Sequence, residues 1–523
     1  MHSSWCKNRL FRLGFSFFIA LTTASFLAVG VASVPLLAQT PVLTWHYDNS
    51  RTGANTTETV LTPALSYKTF GKLSTKPVDG FVVGQPLYVP NLNIAGQGVH
   101  NVVFVATMHD TVYAFDANDA NPTPLWSTSI LTYSPAGATT VPATVKKNAG
   151  TTAWLELGIV STPVIDLVGG TIYVVAETYE NSLIKHRLHA LDISSGIEKL
   201  GGPTTISATY TVNGVTTTFK DFYQMNRPGL LLANGQIFIA WGSNSNNAPS
   251  QGWVMAYDAN TLQPTGAVTV EPGKTLASIW QKGAGLAADS VGNVYAVTSE
   301  GPFLAPTNLP ESIVKLNSVN GLRLTDFFSP YNYSVLGNND MDLTGVLLLP
   351  PQPGPFPDEM IAIGKEGTIY VVNRDQMGTI CQTCSGSDAQ IIQEIPQGGG
   401  IEGGSPSYWN NTVYFTGQHT PIQAYTLQNG TLVVPSAKTV QKMAGGGHSF
   451  ITSNGTTNGI LWTMNGAGLY AMDAITLKTI YRSGQAPNAR DALPPLPHFP
   501  EPIAADGKIF IGTKNSLVTY GIF

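Results

Sequence analysis

The sequence has 523 residues, of which 43% are hydrophobic and only 11% charged, with a net charge of −5. That balance supplies a large apolar core, and with no basic run to neutralise phosphates it excludes a nucleic-acid-binding surface. The 53 Gly and 35 Pro favour short strands and tight turns over solvated helices.

In chain order, the first feature is a targeting segment. Lys7, Arg9 and Arg12 precede an apolar run from Leu13 to Val34, and Pro35-Leu36-Leu37-Ala38 follows. A basic stretch, an apolar stretch and a small residue at the end form a secretory signal. The expectation is residues 1–38 as signal peptide, cleaved after Ala38, and a soluble mature protein exported to the periplasm or beyond. An uncleaved anchor is the alternative, since the run is long enough to span a bilayer. Cys6 precedes the apolar run and leaves with the signal, so it is no lipid-attachment cysteine. Two cysteines remain, Cys381 and Cys384. In an oxidising compartment such a pair is read as a disulfide. Ser385 follows where haem attachment needs His, and no second CxxC or nearby His completes a zinc site.

Residues 39–523 repeat one unit. A Gly/Pro/Ser cluster leads into a short apolar strand, then two alternating strands, a turn of the DA or N type, and a last strand. Copies begin at Gln85, Ser161, Arg227, Gly283, Thr344, Gly403, Gly447 and Glu501. Four short strands repeated eight times predict an all-β fold, a single eight-bladed β-propeller of four-stranded antiparallel blades, with seven blades as the variant count. Stacked sandwiches would give no reason for regular copies. The last copy stops after its third strand, while Phe70–Gly80 supplies a lone strand before blade 1. That strand is predicted to complete the last blade and remove the open edges.

In such a ring the loop leading into each innermost strand lines one end of the central channel, here called the top. So does the loop between the second and third strands. These positions gather Gln85, Asn226, Arg227, Gln281, Lys282, Asp340, Asp342, Glu402, His448, His498 and Glu501, with His109, Asp110, Lys365 and His419 from the inter-strand loops. Convergent polar groups in a concavity are the default site. Arg227 before Pro228 equally suits an anchor for a carboxylate on another blade. The cysteines fall on the opposite face by the same geometry.

The blade texture, with Tyr113-Ala114-Phe115-Asp116, Tyr257-Asp258-Ala259-Asn260 and Tyr470-Ala471-Met472-Asp473, resembles the pyrroloquinoline quinone (PQQ) repeat. The opening Trp45-His46-Tyr47-Asp48 with Arg51-Thr52-Gly53-Ala54-Asn55 is similar to the start of such propellers. The resemblance, to the quinoprotein alcohol dehydrogenase-like superfamily, spans Trp45 to Phe523. It implies a possible PQQ cofactor with Ca²⁺. Asn339-Asp340-Met341-Asp342 resembles the segment carrying the catalytic aspartate, and Gly364-Lys365-Glu366-Gly367 a stretch whose lysine lies near the quinone. Trp241-Gly242-Ser243-Asn244 resembles the segment with an asparagine ligand to calcium. On that basis Asp340 and Asp342 are the catalytic candidates. Lys365 by the resemblance, with Arg227, Glu402, His448 and Glu501 by their channel positions, are the cofactor-binding candidates, and Asn244, Glu402 and Asp340 the calcium ligands. The chain departs from the dehydrogenases in having no adjacent cysteines, no tryptophan pattern in register between blades and no haem motif. The first expectation is therefore a monomeric scaffold binding a small molecule, glycan or protein on its top face. A PQQ- and calcium-dependent oxidoreductase acting on an alcohol or sugar is the alternative, and a hydrolase lacks any GxSxG motif.

Overall fold

The computed structural model describes residues 39–146, 154–243, 250–274, 276–336, 340–341 and 344–523. The signal segment 1–38, with Cys6, lies outside the described residues, as do Asn244 and Asp342. Among the described residues no helix is long and apolar enough to cross a membrane.

Eight sheets, each mainly four antiparallel strands, form the eight blades. Their innermost strands are Leu87–Ile94, Val164–Asp166, Leu231–Ala233, Ala287–Ala288, Leu347–Leu348, Ser407–Trp409, Ser449–Asn454 and Ile503–Ala505. The period of two explains how they stack. In blade 3, Ile237 and Ile239 face blade 2, while Phe238 and Ala240 face blade 4. Every blade is thus apolar on both faces, and eight core clusters each join two neighbouring blades around the ring. The strand Phe70–Pro77 pairs antiparallel with Ser516–Ile522 and completes blade 8, as the truncated last repeat requires.

The segment Val42–Gly53 lies inside the ring and bonds to the innermost strand of every blade. Val42 pairs with Tyr88 of blade 1, and the Leu43 carbonyl accepts from Ile165 N of blade 2. Asn49 donates to Leu232 O of blade 3 and accepts from Ala288 N of blade 4. The carbonyls of Ser50, Thr52 and Gly53 accept from Leu348, Tyr408 and Ile451 of blades 5, 6 and 7. The Tyr47 hydroxyl accepts from Ala504 N of blade 8 at 2.8 Å. Eight short strands would otherwise present unpaired backbone groups to the channel, and the segment satisfies them. It is an axle. Gly53, at φ +66°, is required there because a side chain would run into the His46 ring.

Cys381 and Cys384 are disulfide-bonded. Their loop leaves the third strand of blade 5, Ile369–Asn373, at the end opposite Lys365. Thr379–Ile380 then pairs parallel with Phe328–Ser329 on the outermost strand of blade 4. The disulfide therefore sits at the outer edge, away from the channel. The closed loop is short, so its entropic contribution lies below the roughly 3 kcal/mol of a 15-residue loop. Cys384→Ser is expected to leave the β circular dichroism intact and shift the melting temperature only slightly. Loss of folding in that variant would show that the clasp on blade 4 depends on the bond.

Candidate functional site

Four of the sequence-predicted residues meet at the top of the channel. Arg227 leads into the innermost strand of blade 3, and Glu501 leads into that of blade 8. The two reach across the channel, with Arg227 Nη2 3.3 Å from Glu501 Oε1. Both are fully buried, and Glu501 Oε2 also accepts from Trp45 Nε1 at 2.7 Å and Thr162 Oγ1 at 3.3 Å. Burial pushes the Glu501 carboxyl up and the Arg227 guanidinium down, and each offsets the loss of water for the other. Gly283, at φ +102°, is required beside them because a Cβ would collide with the Arg227 guanidinium.

Lys282 forms a second strut. From blade 4 its ammonium donates to Gly446 O at 2.6 Å and to Glu402 O and Gly403 O at 3.2 Å, tying in blades 6 and 7. Its Nζ also lies 4.8 Å from the Phe499 ring centre. Burial lowers Lys282 to about 8. His448 Nδ1 accepts the Ser405 N–H at 2.9 Å, which leaves any ring proton on Nε2. Burial, with the cations of Lys282 and Arg227 nearby, holds His448 well below the usual histidine range, so it is neutral. Glu402 reaches this layer through its backbone, and its side chain is exposed. Arg227, Lys282, His448 and Glu501 thus brace the ring and are buried from solvent.

A different group of side chains opens upward at blades 4 and 5. Glu300 and Glu311 lie in the loop between the second and third strands of blade 4, and Asp340 leads into blade 5. One carboxylate oxygen from each lies within 4.8 Å of the others. Glu311 is 3% exposed, and its Oε2 accepts Met341 N–H at 2.7 Å. Glu311 Oε1 and Glu300 Oε2 are buried without a hydrogen-bond partner. Burial, reinforced by the charge of Asp340, raises Glu300 to about 7 and Glu311 to about 8. Beside them Lys365 N donates to Asp340 O at 3.0 Å, and Glu402 N donates to Lys365 O at 2.8 Å. The half-buried Lys365 side chain supplies positive charge toward Glu300.

The structure therefore divides the sequence-predicted set. Asp340 and Lys365 stand at the carboxylate group, while Arg227, His448 and Glu501 stand in the bracing layer. Glu300 and Glu311 were not singled out from the sequence. The rule that gave Lys365, a loop between second and third strands, applies equally to residues 298–312 and would have found them.

The architecture matches solved structures. The quinohemoprotein alcohol dehydrogenase ADHIIG of Pseudomonas putida HK5 is similar over 92% of this chain and 80% of its own, with TM-score 0.59 and 13% identity. That of Comamonas testosteroni gives the same values. A europium-containing methanol dehydrogenase is similar over 92% of this chain and 98% of its own, with TM-score 0.59 and 12% identity. The fold is the PQQ-type β-propeller. No protein-family model matches the sequence, and no curated protein matches it significantly.

Within a PQQ-type propeller two groups are implied, a hard cation and a quinone. Three converging carboxylates, two of them with unpartnered buried oxygens, are a donor set that fits a hard cation. The flat clamp for a quinone fits poorly. The disulfide is at the outer edge of blade 4, and the Trp45 indole is 1% exposed beneath the struts with its N–H committed to Glu501.

Proposed function

We propose that this protein is an exported binding propeller whose top face holds a hard cation at Glu300, Glu311 and Asp340. The cation would present open coordination positions to a small oxygen-rich ligand, a carboxylate or a sugar, with Lys365 as a second positive contact. The convergence of three carboxylates, two with buried unpartnered oxygens, carries this proposal. Without a cation, burying those oxygens is unfavourable, and they hold protons near neutral pH instead.

Calcium or terbium titration of the purified protein tests it. Glu311→Gln with Asp340→Asn is expected to weaken binding by about a hundredfold or more while leaving the β circular dichroism intact. Equal affinity in the double variant would make these residues ordinary buried acids.

The pH dependence provides a second check. Binding displaces protons from Glu300 and Glu311, so affinity should rise on the order of a thousandfold from pH 6 to 9 and then level off. In the cation-free protein the folded state keeps these protons at pH values where the unfolded chain has lost them. Their contribution to stability is therefore present at low pH and lost as pH rises through about 7 and 8. Calcium should reverse that loss in thermal melts. A pH-independent calcium affinity would contradict the assignment.

The alternative, a PQQ-dependent oxidoreductase, is favoured by the position of Asp340 among the carboxylates beside Lys365. Adding PQQ with calcium and following dye reduction with an alcohol separates the two. Turnover abolished by Asp340→Asn supports the oxidoreductase, and cation binding without turnover supports the binding propeller.

A further inference from the structure

On the outer wall, far along the chain from the carboxylates, a groove lies over the apolar core between blades 6 and 7. It has a volume of about 300 Å³ and runs between Ala437–Lys442, the outer strand of blade 6, and Gly468–Asp473, the third strand of blade 7. Its floor is Met443, Met472 and Leu477, each at most 3% exposed and each part of the core cluster joining the two blades. The Tyr470 ring forms one wall. Methionine thioethers and an aromatic face adapt to apolar bodies of varied shape.

The rim is cationic at both ends. Lys478 lines one end and is exposed. Arg482 stands at the other, its guanidinium 5.8 Å from the Tyr470 ring centre and its Nη1 3.5 Å from Gln441 Oε1. Arg482 Nε is buried without a hydrogen-bond partner. Among the described residues no carboxylate lines the groove. The nearest in sequence, Asp473, turns its Oδ1 into its own turn, where it accepts from Ile475 N, Thr476 N and Thr476 Oγ1. An apolar floor under two cations, in a chain whose net charge is negative, selects for charge as well as for apolarity.

We propose that this groove binds a small amphipathic anion, an apolar body of one or two rings or a short alkyl chain bearing a carboxylate or sulfonate. The volume is at the small end of ligand-sized cavities and suits such a molecule better than a folded partner. The apolar body would cover the Met443, Met472 and Leu477 floor, and the head group would pair with Lys478 or Arg482.

The test uses the purified protein and the anionic dye 1-anilinonaphthalene-8-sulfonate, with decanoate and decanol as competitors. Saturable fluorescence enhancement is expected, displaced by decanoate at about tenfold lower concentration than by decanol. Lys478→Glu with Arg482→Glu should weaken dye binding about tenfold or more with the melting temperature unchanged. Gln441→Trp, at an exposed position on the rim, should block the groove and remove the enhancement even if the charge-reversal variant folds poorly. The proposal is overturned if no saturable binding occurs, if decanol competes as well as decanoate, or if Gln441→Trp binds dye like the parent. Preference for decanoate over naphthalene sulfonates would identify the alkyl acids as ligands, and the reverse the aromatic ones.

Discussion

Arg51→Leu is expected to lower the stability of the propeller by about 4 kcal/mol or more, enough to leave much of it unfolded at ambient temperature. Arg51 is 1% exposed, near the end of the axle segment. Its Nε and Nη2 donate to Leu286 O of the loop into blade 4, and its Nη1 donates to Thr44 Oγ1, Trp45 O and Asp48 O. Leucine would leave Leu286 O, Thr44 Oγ1 and Trp45 O without the guanidinium donors, at about 1–3 kcal/mol for each that water cannot reach, while Asp48 O would keep the backbone N–H of residue 51. The same substitution would release the turn that lets Asn49, Ser50, Thr52 and Gly53 meet blades 3 to 7. Lysine keeps the charge but not the fork of donors, so Arg51→Lys should restore only part of the loss. Urea melts followed by circular dichroism measure both. A loss below about 1 kcal/mol for Arg51→Leu would mean that the ring stands without its axle.

Why was the ring legible in the sequence and the axle not? Alternation with a period of two is local, and here it is also the packing rule, because successive residues face successive neighbours. The turns are local too. Asp116, Asp258 and Asp473 close the third strands of blades 1, 3 and 7 by accepting backbone N–H groups two or three residues on, from Asn118, from Asn260 and Thr261, and from Ile475 and Thr476. The axle leaves no such pattern, since its partners are backbone groups scattered from Tyr88 to Ala504 and any sequence can offer those.

The site divides along the same line. Position within a repeat pointed to Arg227, His448 and Glu501, which share one layer, and to Glu402, which reaches it through its backbone carbonyl. It gave no information about which of them would be spent on one another. Arg227 and Glu501 are 274 residues apart and meet only because the ring closes. Glu300 and Glu311 lie in the loop between the second and third strands of blade 4, a position the repeat does mark, but their convergence with Asp340 of the next blade is a contact that no local pattern signals.

That distinction between bracing and binding can be measured. Arg227→Met alone leaves the Glu501 carboxylate buried with only Trp45 and Thr162 as donors, and Glu501→Gln alone leaves a guanidinium with no counter-charge. Each should destabilise the fold by about 3–5 kcal/mol, because an uncompensated buried charge is worse than none. The double variant replaces the pair by uncharged groups of similar size, and its loss should fall short of the sum of the two by about 2 kcal/mol. Additive losses would show that each residue acts through separate partners, Arg227 through Lys282 O and Glu501 through Trp45. Neither residue is among the three converging carboxylates, so calcium affinity in whichever variants fold should equal that of the parent. If cation or ligand binding instead fell with the strut, the top layer would be part of the site. The ring's stability and its binding face would then be coupled through Lys282, whose ammonium is held by the carbonyls of Glu402 and Gly403 while Glu402 N–H binds the Lys365 carbonyl next to Asp340.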